Sequence, residues 1–365
     1  MKRFTEVTEP HLPSFDAYVE QLKGIWERRH LTNGGPLVTE LEKRLKDHLN
    51  CDPGILCVAN GGLAIQILIH ALELGGEVIT TPYSYVATTS CLLWEQCTPV
   101  FADIDEKSLC IDPAKVEALI NPSTTAVLAT HVFGNPCDVI ELQRICANHN
   151  VALIFDAAHA FGVRHRGRSI LDFGDASIMS LHATKVIHSV EGGFVASKNP
   201  AVAERVEWMR RFGHAGHSDY HGVGINAKMS ELHAAMAHCV LDEAEQIFKT
   251  RHEIAKLYQD GIAQMDGLRL AFDLAPDTEW NACYFPVLFE SEDQLESAKA
   301  ALERADYGTR RYFYPALDRC GLPGAPMNSC PNAHRIAPRV LCLPLSSRMR
   351  VEQADEVLEI LSGQL

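Results

Sequence analysis

The chain has 365 residues, 47% of them hydrophobic and 22% charged, an ordinary globular composition that excludes a disordered, collagen-like or coiled-coil protein. At roughly 100–200 residues per domain, this length suits two or three domains with a substantial core. Lys and Arg number 33 against 47 Asp and Glu, a net charge of -14, which disfavours DNA, RNA or an acidic membrane as partner.

The opening stretch MKRFTEVTEPHLPSF lacks the apolar region of a signal peptide. Pro10, Pro13 and Gly34-Gly35-Pro36 read as an irregular arm before a helix over Thr39–Leu49. A strand at Ile55–Ala59 leads into a helix through Ile65, Leu68, Ile69 and Leu72, which Gly75-Gly76 ends. A strand at Glu77–Thr81, a helix to about Gln96 and strands at Pro99–Asp103 and Ala126–Thr130 follow. Asp138 is a plausible N-cap for a helix running to about His149. Val151–Phe155, Ala176–Leu181 and Gly193–Ser197 are further strand candidates. Continuous apolar runs alternating with helices predict an α/β fold, with a mostly parallel sheet covered on both faces.

Beyond Asn226 the spacing becomes helical through Met229, Leu232, Met236, Cys239 and Val240, and continues through Ala244, Ile247, Ile254 and Leu257. One long segment, with room for a kink, would join a large domain over 1–240 to a smaller C-terminal α/β domain over 241–365. Strands at Tyr284–Phe289 and Val340–Leu343 and helices at Glu292–Arg304 and Val351–Leu361 belong to the second. No apolar run is long enough to span a bilayer, so a cytoplasmic protein is expected. The twelve cysteines form no C-x-x-C pair and read as reduced, mostly buried thiols. His214, His217 and His221 lie among glycines in a loop, not on the helical H-x-x-x-H face that grips zinc, so no metal is expected.

In a parallel α/β sheet, ligands sit beyond the carboxyl ends of the strands. Asn60-Gly61-Gly62 follows the first strand and opens a helix, a seat for phosphate or a bare turn. No G-x-G-x-x-G is present, so a dehydrogenase-type dinucleotide fold is unsupported. Tyr85 follows the second strand, and Asp156 ends an apolar one, either as a cap or salt bridge or as a working carboxylate. Ser180 and Lys185 follow the strand that starts at Ala176. A lone lysine is a solvated charge, but the set fits one chemistry. Pyridoxal phosphate takes an amine (Lys185), an acid facing its ring nitrogen (Asp156), a phosphate cup (the Gly62 amide and Ser180 hydroxyl) and a flat neighbour (Tyr85).

The segments VANGGLAI, TTPYSYVATT, DAAHAFG, SLHATKVIHSVEGG and GINAKMSELHAA resemble, in order, the motifs of the DegT-type (DegT/DnrJ/StrS) nucleotide-sugar aminotransferases. These belong to the fold-type I pyridoxal-phosphate class. The resemblance runs from Leu31-Thr32-Asn33-Gly34 through RRYFYPAL at Arg310–Leu317. It implies that Lys185 carries the cofactor, that Asp156 partners its ring nitrogen and that His159 neighbours its phenolic oxygen. Tyr85 matches the ring-stacking position. Gly61, Gly62, Leu63 and Ser180 match the phosphate seat, and Asn226 matches a phosphate ligand supplied by the other subunit of a homodimer. The family usually has threonine where Gly62 stands. A glycine there implies weaker cofactor affinity, or a water in place of the hydroxyl.

At finer grain, LTNGGPLVTELE, SYVATTSCLLW, HVFGNPCDV and RRYFYPAL look most like the viosamine-type members of that family. This implies transfer of an amino group from L-glutamate to C4 of dTDP-4-keto-6-deoxyglucose; amination at C3 of a 3-keto isomer is the alternative. Arg310 and Arg311 are candidate diphosphate clamps or a solvated basic pair. Asn33, Tyr312, Tyr314, His182, His188 and the His214–His221 loop are candidate substrate contacts. A sugar dehydratase on this scaffold would have histidine in place of Lys185. A non-catalytic regulatory protein has no use for the Asp156/Lys185 pair, and a metal-dependent sugar enzyme would need the histidine loop.

Overall fold

In the computed structural model, which describes residues 4–327 and 329–365, the chain begins with α1 (Phe15–Arg28) and α2 (Pro36–Leu49). It continues through β1 (Gly54–Val58), α3 (Gly61–Ala71), β2 (Glu77–Thr80), α4 (Val86–Trp94), β3 (Thr98–Phe101) and α5 (Pro113–Leu119). Next come β4 (Thr124–Thr130), α6 (Val139–His149), β5 (Ala152–Asp156), β6 (Arg164–His165) and β7 (Arg168–Ser169). Then follow β8 (Ala176–Ser180), β9 (Gly193–Ser197), α7 (Pro200–Met209), α8 (Glu231–Asp242) and α9 (Ala244–Ile262). The C-terminal part holds β10 (Leu268–Leu270), β11 (Thr278–Glu279), β12 (Phe285–Phe289), α10 (Glu292–Arg304), α11 (Pro331–Ile336), β13 (Val340–Leu343) and α12 (Val351–Ser362).

The seven-stranded sheet has the order β1-β9-β8-β5-β4-β2-β3. Strands β3, β2, β4, β5 and β8 are mutually parallel, whereas β9 is antiparallel to both its neighbours. Only β9 therefore runs against the others, and β8 reaches it through a loop rather than a crossover helix. Along β4, Val127 and Ala129 enter one apolar cluster, while Ala126 and Leu128 enter the cluster on the opposite face. On β5, Leu153 and Phe155 divide from Ile154 in the same way. A period of two with both faces covered produces the continuous apolar runs of the sequence. Each large side chain buried this way stabilises the fold by about 1.5–3 kcal/mol.

Local caps fix the helix ends. The Asp138 side chain accepts the Glu141 amide at 3.1 Å, and Asn150 closes α6 in the left-handed conformation. Buried Glu231, at the start of α8, accepts the Leu37 and Val38 amides at 3.1 and 3.0 Å, satisfying the first turn of α2. Its own amide donates to the Leu31 carbonyl at 2.9 Å. A β-carbon on Gly35 would lie 2.4 Å from the Glu231 carboxyl carbon, so this approach requires glycine.

A second antiparallel sheet, β10-β12-β13, packs Phe285, Val287, Leu341 and Leu343 against Tyr258 of α9, Leu295 of α10 and Val357 of α12. A third, β11-β6-β7, is a small surface ribbon. Among the described residues, no helix is long and apolar enough to cross a membrane.

Several elements differ from the sequence reading. The N-terminal arm is not irregular throughout, because α1 occupies Phe15–Arg28 with only Ile25 fully buried. Tyr18, Leu22 and Ile25 recur at helical spacing on its less exposed face, a stripe the sequence reading did not take up. Helix α2 starts at Pro36, a residue suited to the first helical position. Helix α3 stops at Ala71, before Gly75. The long helical segment is two helices, separated at Glu243 (φ -101°, ψ 9°). Helices α5 and α7 and the β11-β6-β7 ribbon were not anticipated.

His131 gives the fold a pH dependence. Its ring stacks on Phe155 with centroids 4.5 Å apart, its Nδ1 accepts the Cys137 amide at 3.1 Å, and its buried Nε2 has no partner among the described residues. Burial first, then the nearby His165, lowers its pKa to about 3. The unfolded chain takes that proton near pH 6.5. The stabilisation from neutral His131 is thus complete above pH 6.5 and is lost as pH falls from there to about 3, by at most about 1.4 kcal/mol per pH unit. Denaturant unfolding at a series of pH values should give His131→Gln a shallower acid slope than the parent protein. An unchanged slope would assign the acid sensitivity to other groups.

Candidate active site

Because the parallel strands point the same way, their carboxyl ends open onto one cavity of about 290 Å³. Asn60 comes from beyond β1, Ser84 and Tyr85 from beyond β2, Thr130 and Asp156 end β4 and β5, and Ser180 ends β8. Lys185 enters from the β8–β9 loop, and Tyr284, Tyr312 and Phe313 close the wall from the C-terminal part.

Asp156 is buried at 6% exposure. Its Oδ1 accepts the Ala158 amide at 3.0 Å and its Oδ2 the Thr88 hydroxyl at 2.9 Å. Burial raises its pKa; the Ala158 amide, the Thr88 hydroxyl and the charge of Lys185 oppose that rise. The Thr88 hydroxyl is in turn 2.9 Å from that of Ser84, which lies 3.1 Å from that of Thr130, so a chain of hydroxyls supports the carboxylate.

Burial lowers the pKa of Lys185, against the pull of Asp156. Its ammonium lies 6.0 Å from the centre of the Tyr284 ring. His159 is held neutral, because burial and the Lys185 charge push its pKa well below the ordinary imidazole value. Its Nδ1 accepts the Phe133 amide at 3.3 Å, which leaves the proton on Nε2. The His159 ring stacks on Phe313 at 5.8 Å, with 8° between planes, and meets Tyr284 edge-on at 4.9 Å.

At the start of α3, Gly61 lies against Ser180, whose β-carbon would be 3.2 Å from a β-carbon added at 61. At Gly62 an added β-carbon would meet Asn60 Oδ1 at 3.3 Å and the Cys91 sulfur at 3.7 Å. The Leu63 amide is not available to a ligand, because the Asn60 side chain accepts it at 2.8 Å. Leu63 packs instead against an apolar cluster. This differs from the sequence expectation: the N-cap that starts the helix uses the third amide of the seat.

An adjoining cavity, lined by Tyr85, Arg310, Arg311, Tyr312 and Tyr314 among others, shares Ser84, Tyr85, Tyr312 and Phe313 with the first. The two arginines are not a pair there. Arg311 donates to Glu292 and Glu296 at 2.5 Å each and to the Pro338 carbonyl at 2.9 Å, and its guanidinium lies 3.7 Å from the Tyr314 ring centre. Its charge is spent on the two α10 carboxylates. Arg310 is exposed and has no side-chain partner among the described residues. His182 lines the main cavity, whereas His188 is buried with Nε2 2.7 Å from the His11 carbonyl.

Asn33 and Asn226 are exposed and line neither cavity. Asn33 sits in a left-handed turn (φ 68°), and Asn226 Oδ1 accepts from Lys228 at 2.5 Å. The loop histidines border a surface hollow, His214 against Tyr220 and His221 against Trp208. Among the described residues, no group of three His, Cys, Asp or Glu is placed to hold a metal.

Sequence reasoning passed over Tyr83, Thr88, Glu191, Tyr284 and Phe313. Thr88 stands within the SYVATT segment, one helical turn from Ser84, and that spacing was the available signal. Tyr284 and Phe313 gave none, since only the docking of the C-terminal part brings them to the cavity. Tyr83 is wholly buried; its hydroxyl donates to the Tyr312 carbonyl at 2.8 Å and its ring meets Phe313 edge-on at 5.6 Å.

The model of the DegT/DnrJ/EryC1/StrS aminotransferase family matches residues 16–362. The chain is 35% identical over 357 residues to the dTDP-4-amino-4,6-dideoxy-D-glucose transaminase of Shigella dysenteriae, covering 97% of this chain and 96% of that one. It is 34% identical over 366 residues to the Escherichia coli protein of the same name, covering 98% of each. It is also similar to a solved structure of DesI in the presence of its TDP-sugar product, with a TM-score of 0.93 and 31% identity over 99% of this chain and 93% of that one.

The Tyr83 anchor is testable without any assay of activity. Tyr83→Phe strands the Tyr312 carbonyl without its donor, and should lower unfolding free energy by about 1–3 kcal/mol in denaturant titrations. A change within error would mean that the segment is held by packing alone.

Proposed function

The chain belongs to the DegT/DnrJ/EryC1/StrS aminotransferase family and is a nucleotide-sugar aminotransferase; on that premise, we propose that it transfers an amino group from L-glutamate to C4 of dTDP-4-keto-6-deoxyglucose. The cofactor is pyridoxal phosphate, and the product is dTDP-4-amino-4,6-dideoxyglucose, used in glycoconjugate or surface-polysaccharide synthesis. One observation carries the reading: a lysine amine and a buried carboxylate meet in one cavity whose floor is a helix N-terminus. The relatives' names support the sugar and the position of the nitrogen.

The residues fit the cofactor. Asp156 would face the ring nitrogen, with each oxygen already oriented by one donor. His159 would present Nε2–H to the phenolic oxygen, and Tyr85 would lie along the ring. The Gly61 and Gly62 amides and the Ser180 hydroxyl form the phosphate cup. When bound, pyridoxal phosphate supplies an electron-accepting ring that stabilises negative charge at the carbon losing its proton. Lys185 performs the proton transfer at Nζ, taking a proton from the donor's α-carbon and, in the second half of the cycle, returning one to the sugar carbon. The lowered pKa of Lys185 favours the neutral amine that this requires. Arg310 is the cation left to meet the diphosphate, with Tyr312 and Tyr314 beside it.

We further infer a homodimer with shared sites. Exposed Phe212, Tyr220, Val223 and Ile225 flank Asn226, an apolar surface suited to a second copy. Asn226 would then reach the partner's phosphate cup, and Asn33 the partner's substrate. The domain boundary is placed between 240 and 241, just before the break at Glu243. The reaction is assigned to the cytoplasm, a compartment consistent with the free cysteines of the fold.

Borohydride reduction of the holoenzyme followed by peptide mapping should mark Lys185, and Lys185→Ala should be inactive. Product NMR should place nitrogen on C4. A mark elsewhere or an active Lys185→Ala would overturn the mechanism, whereas nitrogen on C3 would overturn only the choice of sugar.

Sharing of sites has its own test. Asn226→Ala should be strongly impaired, and mixing it with Lys185→Ala should restore part of the activity through hybrid dimers. Absence of any recovery would count against a partner-supplied Asn226.

A further inference from the structure

The β8–β9 loop that carries Lys185 is laced like a hairpin. The Leu181 amide donates to the Gly192 carbonyl at 2.8 Å and the Ala183 amide to the Val190 carbonyl at 2.7 Å, which sets His182 opposite Glu191. Both line the same cavity as Lys185, at its mouth, and each side chain is about half exposed. His182 Nδ1 accepts the Thr184 amide at 3.2 Å and lies 2.9 Å from its hydroxyl, so the ring proton is assigned to Nε2. That Nε2 is 3.6 Å from Glu191 Oε1. The gap is too long for a direct hydrogen bond and short enough for one oxygen to touch both.

Holding Glu191 there costs backbone strain. Val190 is β-branched yet has φ 71°, a region such residues rarely enter. Its amide donates to His188 Nδ1 at 3.2 Å, and the Ser189 hydroxyl donates to the Glu191 carbonyl at 2.9 Å. His188, anchored on the His11 carbonyl, thereby supports the strained turn rather than touching a ligand.

We propose that His182 and Glu191 read one hydroxyl of the sugar, the one on the carbon next to the ketone. The hydroxyl donates to the Glu191 carboxylate and accepts from His182 Nε2–H. This rests on the keto-sugar reading above. The ketone carbon must approach Lys185, whose amide bonds the His182 carbonyl at 2.8 Å in the same turn, so the pair stands beside the reacting carbon. An ionised carboxylate only accepts and Nε2–H only donates, whereas a hydroxyl does both. A sugar lacking that hydroxyl leaves both groups facing carbon, and a site built this way rejects it. The amino-acid donor carries no such hydroxyl, so the pair acts on the second substrate.

The test compares dTDP-4-keto-6-deoxyglucose with its analogue lacking the C3 hydroxyl, each rate referred to the glutamate half-reaction of the same preparation, followed by cofactor absorbance. The parent enzyme should favour the hydroxylated sugar by roughly ten- to hundredfold in kcat/KM. Glu191→Ala should abolish most of that preference by slowing the hydroxylated sugar alone, and Glu191→Gln should abolish part of it. A Glu191→Ala enzyme that slows equally on both sugars and keeps its preference would overturn the proposal and leave Glu191 a structural residue. A parent enzyme that consumes glutamate yet ignores the keto sugar would instead overturn the substrate reading on which the proposal rests.

Discussion

Strand β5 is apolar from Ala152 to Phe155 and ends on a carboxylate. A charge there can be buried only if donors meet it, because an unpaired ionised group in a low-dielectric interior is too costly to keep. The Ala158 amide arises from the turn after the strand, but the Thr88 hydroxyl must be brought from α4 and the compensating charge from the β8–β9 loop. Asp156 thus constrains three segments that the chain order keeps apart. The reversed strand β9 is part of the same constraint, since it allows β8 to be followed by a loop that turns back over the strand ends with Lys185 aboard.

Within this frame the aromatic wall does more than fill space. Tyr83, Phe133, His159, Tyr284 and Phe313 meet in stacked or edge-on pairs, drawing on β2, β4, β5 and the C-terminal part of the chain. Such pairs contribute about 0.5–1.5 kcal/mol each beyond the area they bury. Their geometric effect is to set the imidazole plane of His159 while burial keeps it uncharged. Packing and electrostatics therefore act on one ring, by different routes.

What the sequence disclosed follows from where the information is local. Strands buried on both faces write themselves as apolar runs, and the polar residue ending each run marks the cavity, so Asp156 and Ser180 were legible, and Lys185, in the loop after Ser180, was legible through the chemistry it shares with them. Arg310 and Arg311 looked alike because they are adjacent in sequence. What separates them is α10, whose Glu292 and Glu296 claim one guanidinium and leave the other. Leu63 was misplaced because the Asn60 cap and a ligand compete for the same amides, and only the side-chain geometry of Asn60 decides between them. Helix α1 was missed although Tyr18, Leu22 and Ile25 share its less exposed face at helical spacing, because the prolines before it and the glycines after it suggested an irregular arm.

The contact between Gly35 and Glu231 has a consequence for how the sequence can change. A side chain at position 35 fits only if both the Glu231 carboxyl and the His30 ring give way, and a short residue at 231 abandons the two amides that open α2. Either replacement therefore disturbs the opening of α2, whichever comes first. The two positions are therefore locked together in descent, although nothing in the chemistry at Lys185 would notice either of them.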